Sequence, residues 1–358
     1  MRLLAAGAVL AAVLALPVLA VSPPRAAAGV DSARALGAYA AMQRYLFDAR
    51  RSVYREAVAR RSGAHAWPAS QAVAATIAVA RVPGADRSLR GVARARLEGL
   101  ERLRSGAVYA ASAGGEVYYD DNEWIAQDLL DADAAWGDVS GLARAEAIFT
   151  AVTRAWDGDE SHPCPGGVVW TTAPRNNDRN TVTTANGALL GLRLYSLTRR
   201  PSYLAWAQQM LGWLDRCMLA PNGLYWDHVD AAGTVNTAQW TYNQGSVIGA
   251  NVLLYRETGD SSSLARAEDL ADATLAAYAA SRLDHEPPEF AAIFFRNLLD
   301  LAAVDHDRSY VRAAQAYADR AWARRDRRTN LVAFDAPTRL LSQAAVVQLY
   351  AGLARASP

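Results

Sequence analysis

Apolar positions recur at intervals of three and four along almost the whole chain. Runs with that spacing predict helices over residues 31–60, 69–81, 88–104, 122–136, 141–156, 184–198, 202–219, 243–258, 263–280, 289–304, 308–325 and 339–355. Alternating, strand-like patterning is confined to short pieces such as Gly167 to Thr172, so the class expected is all-α. The runs also repeat. Leu194-Tyr195-Ser196-Leu197-Thr198 recurs sixty positions later as Leu254-Tyr255-Arg256-Glu257-Thr258, and Leu142-Ala143-Arg144-Ala145-Glu146 recurs as Leu264-Ala265-Arg266-Ala267-Glu268. Helical hairpins that cannot bury their apolar faces alone must stack, as an open solenoid or a closed ring. Six hairpins favour the ring, an (α/α)6 toroid.

Links between the runs alternate in length. Those at 82–87, 137–140, 199–201, 259–262 and 305–307 are short, whereas those at 61–68, 105–121, 157–183, 219–242, 281–288 and 326–338 are mostly long. Successive helices run antiparallel, so every long link falls at one end of the ring. Loops gathered on one face of a rigid scaffold are where binding and catalysis concentrate, and the site is expected there.

Composition narrows the class. Of 358 residues 52% are apolar and 20% charged, the balance of a folded chain. Arg2, the apolar run Leu3 to Val21, Pro23, Pro24 and Ala26-Ala27-Ala28 follow the order of a secretory signal peptide cleaved after Ala28, the alternative being an uncleaved membrane anchor. Cleavage would leave residues 29–358 as a single domain on the extracellular side, secreted or in the cell envelope, with no membrane attachment. We expect a monomer.

There is no lysine, and without Arg2 and Arg25 the 37 basic residues fall to 35 against 36 acidic ones. A near-neutral surface excludes nucleic acid as partner, because phosphate binding needs a basic field. A neutral glycan fits better. Cys164 and Cys217 are free to form a disulfide outside the cytosol or to remain thiols. No Cys pair has ligand spacing and the five His are scattered, so neither metal nor cofactor is expected.

The candidate chemistry lies in the long links. The link at 105–121 ends in Tyr118-Tyr119-Asp120-Asp121-Asn122-Glu123-Trp124, opening the fourth helix. Helix capping alone would explain acidic residues there. Two adjacent carboxyls beside aromatics, however, also meet the needs of a retaining glycosidase, whose nucleophile and acid/base stand about 5–5.5 Å apart. The helix start favours one as the anion, and that charge raises the neighbour's pKa. Other long links carry Trp67, Asn180, Asn186, Trp226, Asp227, Trp240, Tyr242, Asn243 and Gln244, which join Tyr119 and Trp124 as a sugar-binding set. Aromatic faces stack on sugar C–H surfaces while amides and carboxylates bond hydroxyls. For any single one of these aromatics, burial in the core is the ordinary fate.

At these residues the chain resembles glycoside hydrolase family 76, the endo-α-1,6-mannanases and their fungal cell-wall relatives. Trp67-Pro68, Tyr119-Asp120-Asp121-Asn122-Glu123-Trp124, Gly166-Gly167-Val168-Val169-Trp170, Asn186-Gly187 with Leu194-Tyr195, Trp206 to Trp213, and Trp240-Thr241-Tyr242-Asn243-Gln244-Gly245 carry the resemblance, in consistent order across nearly the whole mature chain. It implies an (α/α)6 hydrolase of α-1,6-linked mannose, with Asp120 as nucleophile and Asp121 as general acid/base. The segment Phe290-Ala291-Ala292-Ile293-Phe294-Phe295-Arg296 departs from the Phe-Lys-Gly start expected before the arginine. Arg296 remains, to meet a substrate hydroxyl or to pair within the core. Three alternatives stand beside this reading: a mannan transglycosylase using the same site, an (α/α)6 enzyme for another glycan, and a glycan-binding protein that cleaves nothing. A serine hydrolase is disfavoured, since no Gly-x-Ser-x-Gly elbow is present.

Overall fold

The computed structural model describes residues 25–356 apart from 138–139, 333 and 335–336. The predicted signal peptide therefore lies outside the described residues, except for residues 25–28, which open the first helix.

Twelve long helices are present among the described residues: α1 (Arg25–Leu46), α2 (Ala66–Ala80), α3 (Leu89–Leu100), α4 (Tyr119–Trp136), α5 (Ser140–Arg154), α6 (Thr181–Thr198), α7 (Pro201–Cys217), α8 (Thr241–Thr258), α9 (Ser261–Ala277), α10 (Pro288–Asp305), α11 (Arg308–Ala323) and α12 (Leu340–Ala356). The even-numbered helices pack side by side in chain order, and α12 closes on α2, where Gln348 Nε2 donates to the carbonyl of Gln71. The odd-numbered helices form an outer layer, each against an inner neighbour. This is an (α/α)6 toroid of the all-α class.

Burial follows the layers. Along α6 every residue from Thr181 to Leu192 is buried, as an inner helix enclosed on all sides requires. Along α11 only Tyr310, Ala314, Tyr317, Ala318 and Ala321 are, a single stripe at helical spacing. The predicted first helix, 31–60, is shorter than its apolar pattern. After Leu46 the chain turns through Ser52, whose φ is 53°, and Phe47–Asp48 pairs antiparallel with Val53–Tyr54, so the later apolar residues of that run bury from a hairpin.

Outer-to-inner links begin every inner helix at the same end of the ring. One device recurs there: the fourth residue of an inner helix holds the main chain of the preceding link. Asn122 in α4 bonds both N–H and carbonyl of Tyr109, and Gln244 in α8 does the same to Tyr225. Thr184 in α6 accepts from the Val168 amide, and Gln343 in α12 accepts from that of Val332. Buried main-chain groups need partners, and these side chains supply them where no helix or sheet can.

Candidate active site

The mouth marked by the long links holds a pit of about 530 Å³ lined by Trp67, Tyr118, Asp120, Asp121, Trp124, Trp170, Tyr242 and Phe290, with Glu56, His65 and Arg339 along one side. Asp120 and Asp121 occupy the first turn of α4. The link at 155–180 frames them. Its Trp170 carbonyl accepts from the Tyr119 amide at the start of α4, and its indole N–H donates to Asp120 Oδ1 at 3.1 Å. That link is anchored from beneath. Cys164 is bonded to Cys217 at the end of α7, with Cα atoms 6.0 Å apart. Buried Arg179 bonds Asp157 and the carbonyls of Pro163, Cys164 and Asp230. Gly167 has a φ of 83° and lies so close to the Trp213 ring that a Cβ would come within 2.5 Å of it, so only glycine fits.

The two carboxyls differ in environment. Burial pushes the Asp120 carboxyl up to about 6, held down from going further by the Trp170 donor and by main-chain amides of the helix start. Asp121 is pushed well above the usual carboxylate range, first by burial and then by the Asp120 charge, with only the Trp67 main-chain amide acting the other way. Of the two, the anion is therefore favoured at Asp120 and the protonated form at Asp121. Glu123, fully buried one turn further along α4, is also raised well above its ordinary value by burial and by Asp120.

Aromatic rings form the opposite wall. Phe290, near the start of α10, stacks on Tyr242 with centroids 4.1 Å apart and on Trp67 at 6.2 Å, while Trp240 meets it edge-on at 5.6 Å. Trp124 is the buried floor. Behind Tyr242 lies Asp227, close enough to Asp120 to raise its pKa, with Oδ1 accepting from Asn243 Nδ2 at 3.0 Å.

Of the residues proposed from sequence, the structure places Asp120, Asp121, Trp67, Trp124 and Tyr242 on the pit, with Trp240, Asp227 and Asn243 just behind its wall. Others lie away from it. Tyr119 and Trp226 pack against the main core, and Gln244 spends both ends of its amide on the Tyr225 main chain. Asn180 and Asn186 are buried on α6 and the strand before it. Arg296 sits beyond the floor, 5.1 Å from the Trp124 ring, and lines cavities of about 310 and 220 Å³ that open on the opposite mouth. Its surroundings there include Asp128, Asp131 and Asp300. The sugar-binding set expected from sequence omits Tyr118, Trp170 and Phe290, although Tyr118 flanks the acids and the Gly166 to Trp170 segment lies in a long link of the same face. Trp170 was legible as the aromatic ending a glycine pair in a long link, but nothing in the spacing of Phe290 sets it apart from a core phenylalanine.

A ring of this topology with paired acids at one mouth defines a carbohydrate-active (α/α)6 enzyme fold. The chain belongs to glycosyl hydrolase family 76, whose family model matches residues 30–336. Among its relatives, the mannan endo-1,6-alpha-mannosidase DCW1 of Saccharomyces cerevisiae is 35% identical over 129 residues, 33% of this chain and 28% of that protein. DCW1 of Candida glabrata is 35% identical over 125 residues, 32% of this chain and 27% of that protein. The matched stretch thus spans under a third of these two relatives' own length. Bt3792, a family 76 mannosidase from Bacteroides thetaiotaomicron, superposes with a TM-score of 0.81 at 22% identity, covering 91% of this chain and 98% of that one. The α-1,6-mannanase GH76A of Salegentibacter, solved as an inactive variant with two consecutive aspartates replaced and with α-1,6-mannotetraose bound, superposes with a TM-score of 0.79 at 20% identity over 91% and 99% of the two chains.

Proposed function

We propose that this chain is a secreted retaining hydrolase of α-1,6-mannosidic linkages, with residues 29–358 as its catalytic domain, Asp120 as nucleophile and Asp121 as general acid/base. The observation that carries this reading is the split between the two neighbours: burial beside an anion favours the protonated form of Asp121, while the Trp170 indole and helix-start amides favour the anion of Asp120, whose carboxyl is raised to about 6. In the first step an Asp120 oxygen forms a bond to the anomeric carbon as the glycosidic C–O bond breaks, and Asp121 passes its proton to the leaving oxygen. In the second step Asp121, now ionised, takes a proton from water, which displaces Asp120 and restores both groups.

The aromatic wall of Trp67, Tyr242 and Phe290 suits the C–H faces of pyranose rings. Mannan as substrate is supported by what the relatives are: mannan endo-1,6-alpha-mannosidases among the fungal proteins and an α-1,6-mannanase among the solved structures. The test is digestion of an α-1,6-mannooligosaccharide with NMR of the first-formed anomer. Retention of configuration, with activity lost in Asp120→Asn, is expected; products longer than the substrate would assign transglycosylation to the same pair. An inverted product or a fully active Asp120→Asn variant overturns the reading.

A further inference from the structure

Behind the pit wall a string of polar side chains leads from Asp227, whose charge acts on Asp120, toward the surface. Asp227 Oδ1 accepts from Asn243 Nδ2 at 3.0 Å and lies 3.5 Å from the Tyr242 hydroxyl, while its other oxygen, Oδ2, is 2.8 Å from His228 Nδ1. On the far side of the ring, His228 Nε2 faces Asp178 Oδ2 at 3.8 Å. The main chain under these groups is fixed. His228–Val229 is the central strand of a three-stranded antiparallel sheet, with Asn180 and Asn236 opposite His228. The Asp227 carbonyl accepts from the Thr181 amide at the start of α6.

We infer that His228 is a positioning residue for the reaction: as an imidazolium bonded to Asp227 Oδ2, it orients that carboxylate toward Asn243 and Tyr242 and offsets its negative charge beside Asp120. The charged groups facing His228 are Asp227, Asp178 and Asp230, all acidic, and its strand partners Asn180 and Asn236 carry no charge. The one guanidinium in the neighbouring strand, that of Arg179, turns away onto Asp157 and loop carbonyls. The bond to Asp227 is the largest influence on the imidazole and raises its pKa above 6.5, against the opposing effect of burial. The imidazolium is thus favoured over what a free imidazole would show.

Without that cation the charge of Asp227 acts on Asp120 unopposed and lifts its pKa further, because a like charge disfavours the anion. The inference rests on Asp120 acting as an ionised nucleophile. His228→Gln keeps a donor within reach of Asp227 and removes only the charge. Its acid limb of kcat/KM on α-1,6-mannooligosaccharide is expected to move up by about half a pH unit or more, with kcat/KM little changed on the alkaline plateau. A purely structural histidine would leave that limb in place. Asp227→Asn/His228→Gln should return it toward the wild-type position.

An activity-independent measurement separates this inference from the catalytic assignment. NMR titration of the His228 ring should give a pKa above 6.5 in the wild type and a lower one in folded Asp227→Asn. Coincident acid limbs in the wild type and a folded His228→Gln overturn the inference, as does a wild-type imidazole that titrates at or below 6.5. If the imidazole titrates as expected but the wild type cleaves no mannan, it is the catalytic reading that has failed.

Discussion

The indole N–H of Trp170 donates to Asp120 Oδ1 across 3.1 Å, from a ring that meets Tyr118 edge-on at 5.0 Å. Trp170→Phe preserves the ring contact and removes the donor. Burial already raises the Asp120 carboxyl to about 6 and the indole opposes that rise, so losing the donor must lift it further. The active form is the Asp120 anion, so the acid limb of kcat/KM is expected to shift upward by about one pH unit, a tenfold loss well below the limb that disappears near pH 8. A pH series on wild type and variant checks this, and a limb that stays in place contradicts it.

The same carboxyl weakens the fold. Its folded-state pKa lies above its unfolded value, so the unfolded chain releases the proton first as pH rises and stability falls between about pH 4 and pH 6. Below that window both states are protonated and the penalty vanishes. Asp120→Asn removes the titration and is expected to unfold about 2–5 °C higher than wild type at pH 7, with the gap closing at pH 4, for a penalty of about 1–3 kcal/mol. Thermal unfolding at the two pH values tests it; equal gaps at both would rule out a raised Asp120.

The ring was legible because inner and outer helices obey one periodicity and because long and short links alternate, which fixes the face where the inner helices start. The adjacent acids were legible for the same reason, since their place at the end of a long link puts them at the mouth. What spacing does not encode is which polar residues of those helix starts face the pit and which turn back to hold a link. Asn122 and Gln244 occupy equivalent fourth positions and both close on main chain. An amide amid aromatics reads as a sugar ligand until the carbonyls it serves are seen. Phe290 was hidden in a segment of four phenylalanine and isoleucine residues, of which Ile293, Phe294 and Phe295 are buried.

Arg296 lies beyond the Trp124 floor, among the residues that line the cavities of the opposite mouth. Its guanidinium lies over the back of Trp124 amid Asp128, Asp131 and Asp300. Asp128 alone of these is buried, and replacing Arg296 with Met leaves that acid short of a cation, a change that typically costs about 3 kcal/mol. Arg296→Met is therefore expected to lower Tm by about 5 °C or more while KM for mannooligosaccharide stays within about twofold of wild type. A large rise in KM with an unchanged Tm would return Arg296 to the substrate.

Gly245 ends the Tyr-Asn-Gln-Gly segment at the point where α8 and α10 touch. A Cβ there would stand 2.6 Å from Phe294 Cα and 3.1 Å from the Ile293 carbonyl, both main-chain atoms that cannot swing aside. Gly245→Ala must then push α10 away from α8, at a cost of about 1–3 kcal/mol for overpacking. The displacement also parts Phe290 on α10 from Tyr242 on α8, whose rings now stack at 4.1 Å. The variant is expected to lose both stability and substrate affinity, seen as a lower Tm together with a raised KM. Gly91, in outer helix α3, has open space where its Cβ would be, and Gly91→Ala should leave KM alone and raise stability by about 0.5–1 kcal/mol. If the two alanine variants behave alike, close contact between the inner helices is not what demands glycine at position 245.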